Sequence, residues 1–206
     1  TRDQAERFID AALSHGRQSL ALATALQFEC AFRQKDVIGE WLTGIRPQWT
    51  TSPLILNRRE WQNGLTWADI DRNWQINKRT TKTGAVVAHD LTLAPMSMAI
   101  LQTIPETRRH GPLIIDEKSG RPYAQNSFQV EWRKIANAAG LPKSLWSADA
   151  RAGAATEASE AGGNLDDIRE TMGHSDARTT LRYVRGKKIM QSRRLATLRL
   201  AVKNSE

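Results

Sequence analysis

The sequence predicts a mainly α fold with a small antiparallel β-sheet beside the helices, an α+β arrangement over 206 residues. Three observations predict it. Apolar residues recur every three to four positions through most of the chain, and capping residues or glycines bound these stretches. Period-two alternation is confined to the middle of the chain, around residues 74–91. The length suffices for a real core in one large domain or two small ones.

In order, residues 3–15 read as a helix with Ala5, Phe8, Ile9 and Ala12 on one face, ended by Gly16. A longer helix is predicted over 18–36. Leu20, Leu22, Ala23, Leu26, Cys30 and Ala31 make it apolar nearly all round, so it is expected to be central and buried. Residues 38–64 scatter Trp41, Pro47, Trp49, Pro53 and Trp61 among polar residues. A short strand, an irregular loop and a turn of helix are expected there. Their tryptophans either stack on bases or pack the stretch onto the body, and packing is the preferred reading. Trp74-Gln75-Ile76-Asn77 alternates like a strand, residues 78–84 form a basic turn, and 85–91 return. Lys78, Arg79 and Lys82 fall at this hairpin tip. A helix entered through Pro95, a short buried segment at Leu113-Ile114-Ile115, and a helix over 125–139 ended by Gly140 follow. Phe128, Trp132 and Ile135 share one face of the last.

Three short helices follow. Ser147 is expected to cap an alanine-rich helix that stops at Gly162-Gly163. Asn164 caps the next, with Leu165, Ile168 and Met172 on one face and Gly173 as its stop. Ser175 caps the third, which carries Tyr183 on its last turn and ends at Gly186. His174 then sits in a tight link, able to share a cleft with Tyr183. The basic tail beyond Lys187-Lys188 reads as a terminal amphipathic helix.

The formal net charge is +8. It points to a polyanionic partner, most simply nucleic acid, with an ordinary basic soluble protein as the alternative. The single Cys30 excludes an internal disulfide and a cysteine metal cluster. No run approaches the ~18 apolar residues of a membrane span, and no signal peptide is visible. The chain opens at Thr1 directly into helical sequence and reads as a fragment of a longer protein.

Arginine, histidine and tyrosine in fixed order suit phosphoryl transfer through a covalent protein–DNA link. An arginine fork pairs two phosphate oxygens. Histidine donates to phosphate or moves a proton. Tyrosine, a weak nucleophile at its ordinary pKa, needs a base or positive field. Arg151, then Met172-Gly173-His174, then Tyr183 nine residues later resemble the second half of the tyrosine recombinase (phage integrase) signature.

That resemblance runs from about Gln18 to the tail and implies the fold of the recombinase catalytic domain. Residues 38–64 would be an insertion, and an N-terminal DNA-clamping domain would be absent from this fragment. Arg33 and Asp36 resemble the first catalytic arginine and the acid that orients it. A rival alignment places Gln27 there, but an uncharged amide cannot balance phosphate charge. Leu65-Thr66-Trp67-Ala68-Asp69-Ile70-Asp71 resembles the segment leading into the family's small sheet, with Trp67 and Ile70 packing inward. Lys82-Thr83-Gly84 resembles the setting of the catalytic lysine, which protonates the departing 5′ oxygen; a plain phosphate contact is the alternative. Lys78, Arg79 and Arg182 are expected to contact DNA.

The implied reaction is site-specific recombination. Tyr183 attacks the phosphate, forms a 3′-phosphotyrosyl link and releases a 5′ hydroxyl, with Arg33 and Arg151 balancing transition-state charge. Neither a metal nor another cofactor is implied. A tetramer on two sites of double-stranded DNA and a cytoplasmic, DNA-associated location in a bacterium or phage are implied. The chain departs from the family at Ala148, where relatives carry the histidine of His-x-x-Arg. Loss of one proton-transfer group typically costs ~10²–10⁴ in rate, so a slow recombinase is expected. The alternatives are a topoisomerase of type IB chemistry and a decayed integrase that only binds DNA.

Overall fold

The computed structural model describes residues 1–43, 54–174, 176–181 and 197. Helix α1 (Arg2–Ser14) begins with a reciprocal cap between Thr1 and Gln4 and buries Ala5, Phe8, Ile9 and Ala12, the face that its periodicity predicts. Helix α2 (Gln18–Glu29) is buried from Ser19 through Phe28 and packs against α1, α4 (Pro95–Gln102) and α6 (Asp149–Glu160). It is the core's axis. Glu29, at its end, accepts hydrogen bonds from the Met96 and Ser97 amides, 3.0 and 2.8 Å away, and so caps α4. Helix α5 (Gln125–Ala138) buries Phe128, Trp132 and Ile135 as expected, and Trp132 stacks on Phe8 with ring centroids 4.8 Å apart.

The single helix expected over 18–36 is two. Cys30 closes α2, Ala31 takes a left-handed conformation with φ 51°, and α3 (Gln34–Ile38) starts afresh after an extended Arg33. No glycine or proline marks that break, which is why the apolar pattern hides it. Cys30 is buried, and burial pushes its thiol up to about 12, so it is core and unreactive at neutral pH.

Two small antiparallel sheets flank the helices. Strands β1 (Glu40–Leu42), β2 (Leu54–Leu56) and β3 (Arg59–Gln62) pair in the order β1-β3-β2. Among the described residues of 38–64, three paired strands stand where one short strand, a loop and a turn of helix are expected. Asn57 and Arg58, both at positive φ, make the two-residue turn between β2 and β3. Trp61 anchors this sheet. Its indole donates to the Ile38 carbonyl at 2.9 Å and lies against Gly39 and Gly64, where an added Cβ would stand within 2.5 Å of the ring. Trp41 donates to the Pro122 carbonyl at 3.2 Å. Both tryptophans therefore pack the sheet onto the body. Trp49, Pro47 and Pro53 lie outside the described residues.

The second sheet is the hairpin of β4 (Gln75–Arg79) and β5 (Val86–Asp90), in the register Gln75↔Asp90 to Arg79↔Val86. Trp67 and Ile70 pack against the core from the connection before it. Helices α7 (Leu165–Thr171) and α8 (Ala177–Leu181) follow α6. No described helix is long and apolar enough to cross a membrane.

A candidate phosphate-binding site between three elements

The site forms where the α2–α3 link, the β4–β5 hairpin tip and the end of α7 converge. Arg151, on the first turn of α6, is buried, and its guanidinium is held by backbone. Nη1 donates to the Ala31 carbonyl, and Nη2 to the Met172 carbonyl at 2.6 Å. The left-handed turn at Ala31 thus has a consequence: a conformation disfavoured by about 1–2 kcal/mol for an L-residue presents the carbonyl that fixes Arg151.

Asn164 caps α7, accepting from the Asp167 amide at 2.7 Å, and Gly173 ends it at φ 59°. A side chain at Gly173 would also meet Val87 Cγ1 of β5 at 3.1 Å, so glycine satisfies both the turn and the close approach. His174, just beyond, is buried between Arg151 and α8. Its Nε2 is 3.0 Å from Arg151 Nη2, and its Nδ1 is 3.0 Å from Thr180 Oγ1. A guanidinium has no acceptor, so Nε2 accepts and Nδ1–H donates to the threonine. Burial and the charges of Arg151, Arg33 and Lys82 push His174 down to about 4. The imidazole is neutral at physiological pH.

Arg33 approaches from the other side. Nη2 donates to the Gly173 carbonyl at 3.3 Å, while Nη1 stands 3.8 Å from Asp36 Oδ2 and makes no hydrogen bond among the described residues. Asp36 is fully buried, and its Oδ1 accepts from the Thr81 amide of the hairpin tip at 2.7 Å. Thr83 Oγ1 donates to the same Gly173 carbonyl at 3.3 Å. One carbonyl therefore joins Arg33 to the hairpin tip. Exposed Lys82 sits between the two anchored threonines.

The structure thus brings together Arg33, Asp36, Arg151, His174 and the Lys82 tip. Gln27, the rival to Arg33, is fully buried in α2 and donates to the Ser147 carbonyl at 3.4 Å. Lys78 corrects the expected exposed basic tip. The alternation of β4 turns it inward, where Nζ donates to the Gly64 carbonyl at 2.7 Å and lies 3.8 Å from Asp69. Burial lowers its pKa. Arg79 stays exposed and donates to the Gly84 carbonyl at 2.8 Å. Ser147 does not cap α6 as expected. Ala148 holds the N-cap position without a side-chain bond, the Asp149 carboxylate accepts from the Trp146 amide at 2.7 Å, and Ser147 Oγ donates to Gln34 Oε1 at 3.1 Å. Tyr183, Arg182 and Ser175 lie outside the described residues.

Sequence reasoning missed His89. It follows Val87 on the same face of β5, packs edge-on against Phe32 at 4.8 Å, and is pushed down to about 4 by burial and by Arg151. Its period-two relation to Val87 was the available signal. The Ala31 and Gly173 carbonyls had none, because backbone acceptors are invisible in side-chain patterns.

Two arginines, a neutral histidine and an exposed lysine gather around the Gly173-His174 turn, a set of donors suited to an anionic group. The model of the phage integrase family matches residues 59–189. The chain belongs to the phage integrase family. No curated protein matches it in sequence. Its fold is similar to solved structures of recombinases and integrases. The XerA recombinase aligns with a TM-score of 0.63 at 17% identity, covering 97% of this chain and 62% of that one. A lambda integrase dimer (residues 75–356) bound to a COC′ core site gives 0.64 at 17% identity, covering 91% and 59%. The Tn1549 transposon integrase in complex with transposon right end DNA gives 0.63 at 17%, covering 98% and 65%. The chain spans about three-fifths of the length of the first two, 62% and 59%.

Proposed function

We propose that this chain is the catalytic part of a site-specific DNA recombinase. The observation that carries the proposal is the convergence of Arg33, Arg151, His174 and the Lys82 tip on the Gly173-His174 turn. Arg33 and Arg151 bind the non-bridging oxygens of a DNA phosphate and balance the charge of its pentavalent transition state. The Tyr183 oxygen attacks phosphorus, the bond to the 5′ oxygen breaks, and Lys82 protonates that oxygen. The product is a 3′-phosphotyrosyl link with a free 5′ hydroxyl, and attack by a partner strand's hydroxyl reverses the step. His174, neutral and unprotonated at Nε2, is the nearby base that takes the Tyr183 proton as the bond to phosphorus forms. With Ala148 at the first residue of the His-x-x-Arg pattern, turnover is slow.

The activity belongs to the full-length protein on double-stranded DNA, as a tetramer across two sites, in a cytoplasmic, DNA-associated setting. Asp36 orients Arg33, and residues 38–64 are an insertion in the catalytic domain. The test is covalent trapping: full-length protein with DNA from its own genomic neighbourhood, quenched in detergent, beside Tyr183→Phe. An adduct that disappears in the variant is expected. DNA binding without any adduct would reduce the chain to a binding protein. Relaxation of supercoils without exchange between two sites would make it a topoisomerase.

A further inference from the structure

Gln34 lies between Arg33 and Asp36 and reaches across to the entry of α6. Its Oε1 accepts from Ser147 Oγ at 3.1 Å. Ser147 is buried and is held from behind as well, since Gln27 donates to its carbonyl. The amide is therefore pinned beside Ala148, one turn from Arg151. Its other end is unsatisfied: Nε2 is shielded from solvent and has no hydrogen-bond partner among the described residues, as is true of Nη1 on Arg33, the preceding residue. A buried donor without an acceptor is unfavourable, and native structures contain few. Two such donors on adjacent residues, at the entry of the helix that carries Arg151, share one requirement. They need a compact group with several acceptors pointing in different directions, which is what a tetrahedral phosphate offers.

We propose that Gln34 is a third phosphate ligand, its Nε2 donating to a non-bridging oxygen of the DNA phosphate held by Arg33 and Arg151. The proposal rests on the functional reading above and deepens it. Ala148 offers only a methyl group at the start of α6, and the amide delivers a donor to that place from α3. Being neutral, it adds direction without adding to the positive charge that already keeps His174 unprotonated. Ser147 is a positioning residue, because its hydroxyl occupies Oε1 and so fixes which end of the amide is left to donate.

The test is a titration of the whole chain, labelled with ¹⁵N, with inorganic phosphate as the probe. The signals followed are the Gln34 side-chain amide, identified by its loss in Gln34→Met, and the guanidinium groups, identified by Arg33→Lys and Arg151→Lys. Joint shifts of the amide and both guanidinium groups along one binding curve are expected. Guanidinium shifts with a stationary amide would overturn the proposal and leave the phosphate site standing. No shift in any of them would overturn both. In the covalent-trapping assay, Gln34→Met removes the donor at similar volume. It should slow adduct formation by about 10²-fold, the scale of losing one preorganised donor, with duplex affinity and the unfolding midpoint little changed. Gln34→Glu, which adds a like charge beside the phosphate, should be slower still. Adduct formation by Gln34→Met at the unmodified rate would sink the idea.

Discussion

Arg151 and Arg33 meet the same turn at residues 172–174 and are held in opposite ways. Arg151 is buried, with both terminal nitrogens on backbone carbonyls of two different elements and a histidine beside them. Arg33 keeps a 20% exposed side chain, with one carbonyl at 3.3 Å and a carboxylate at 3.8 Å. The first guanidinium is part of the fold; the second is loosely tethered and keeps Nη1 without a partner among the described residues. A site built this way presents one fixed charge at the floor and one adjustable charge at the rim. It also confines the stability cost of preorganisation to the α2–α6–α7 junction.

The largest expected effect breaks that contrast directly. Arg151→Met leaves the Ala31 and Met172 carbonyls buried without donors, so it should both abolish the phosphotyrosyl adduct and destabilise the chain by roughly 2–5 kcal/mol. Arg33→Met should abolish the adduct as fully while lowering stability by only about 1 kcal/mol. Urea midpoints beside trapping yields would measure both. Equal destabilisation would show that the two arginines are equally structural.

Acid acts on two histidines near Arg151. His174 and His89, both pushed down to about 4, are neutral in the folded chain and titrate near 6.5 when unfolded. Between those values the unfolded state binds more protons, so stability falls as pH drops from about 6.5 towards 4. Each histidine contributes a slope of up to about 1.4 kcal/mol per pH unit. Urea midpoints across that range should show it, and His89→Leu should remove about half the slope. An unchanged slope in His89→Leu would exclude its share.

At the rim, Asp36→Asn keeps the acceptor for the Thr81 amide but removes the charge facing Arg33. Adduct formation should fall about tenfold, an effect of about 1.4 kcal/mol, while protection of the Thr81 amide from hydrogen exchange persists. Loss of that protection would mean that the charge, and not the oxygen, holds the hairpin tip.

Much of this contrast was legible in the chain. Periodicity and capping located α1 and α5, the Asn164 cap and the Gly173 stop, and the candidates Arg33, Asp36, Lys82, Arg151 and His174 do meet. What was illegible shares one physical origin: long-range backbone acceptors and turns made without their usual residues. Ala31 breaks an apolar helix in a conformation normally given to glycine, and Asn57-Arg58 turns a hairpin with no glycine at all. Ser147 reads locally as a cap and instead bonds Gln34, 113 residues away.

Lys78 and Arg79 carry the smallest effect and separate a strand's two faces. Adjacent in sequence and both basic, they look from sequence like one DNA-contacting tip. The register of β4 sends Lys78 to the Gly64 carbonyl and leaves Arg79 in solvent. Counterion release makes the distinction measurable, because each phosphate contact adds about one unit to the salt slope of duplex binding. Arg79→Ala should reduce that slope by about one at unchanged stability. Lys78→Met should leave the slope alone and instead lower stability, since the Gly64 carbonyl loses its donor. A slope change in Lys78→Met without loss of stability would place the lysine on DNA and require β4 to turn its other face to the body.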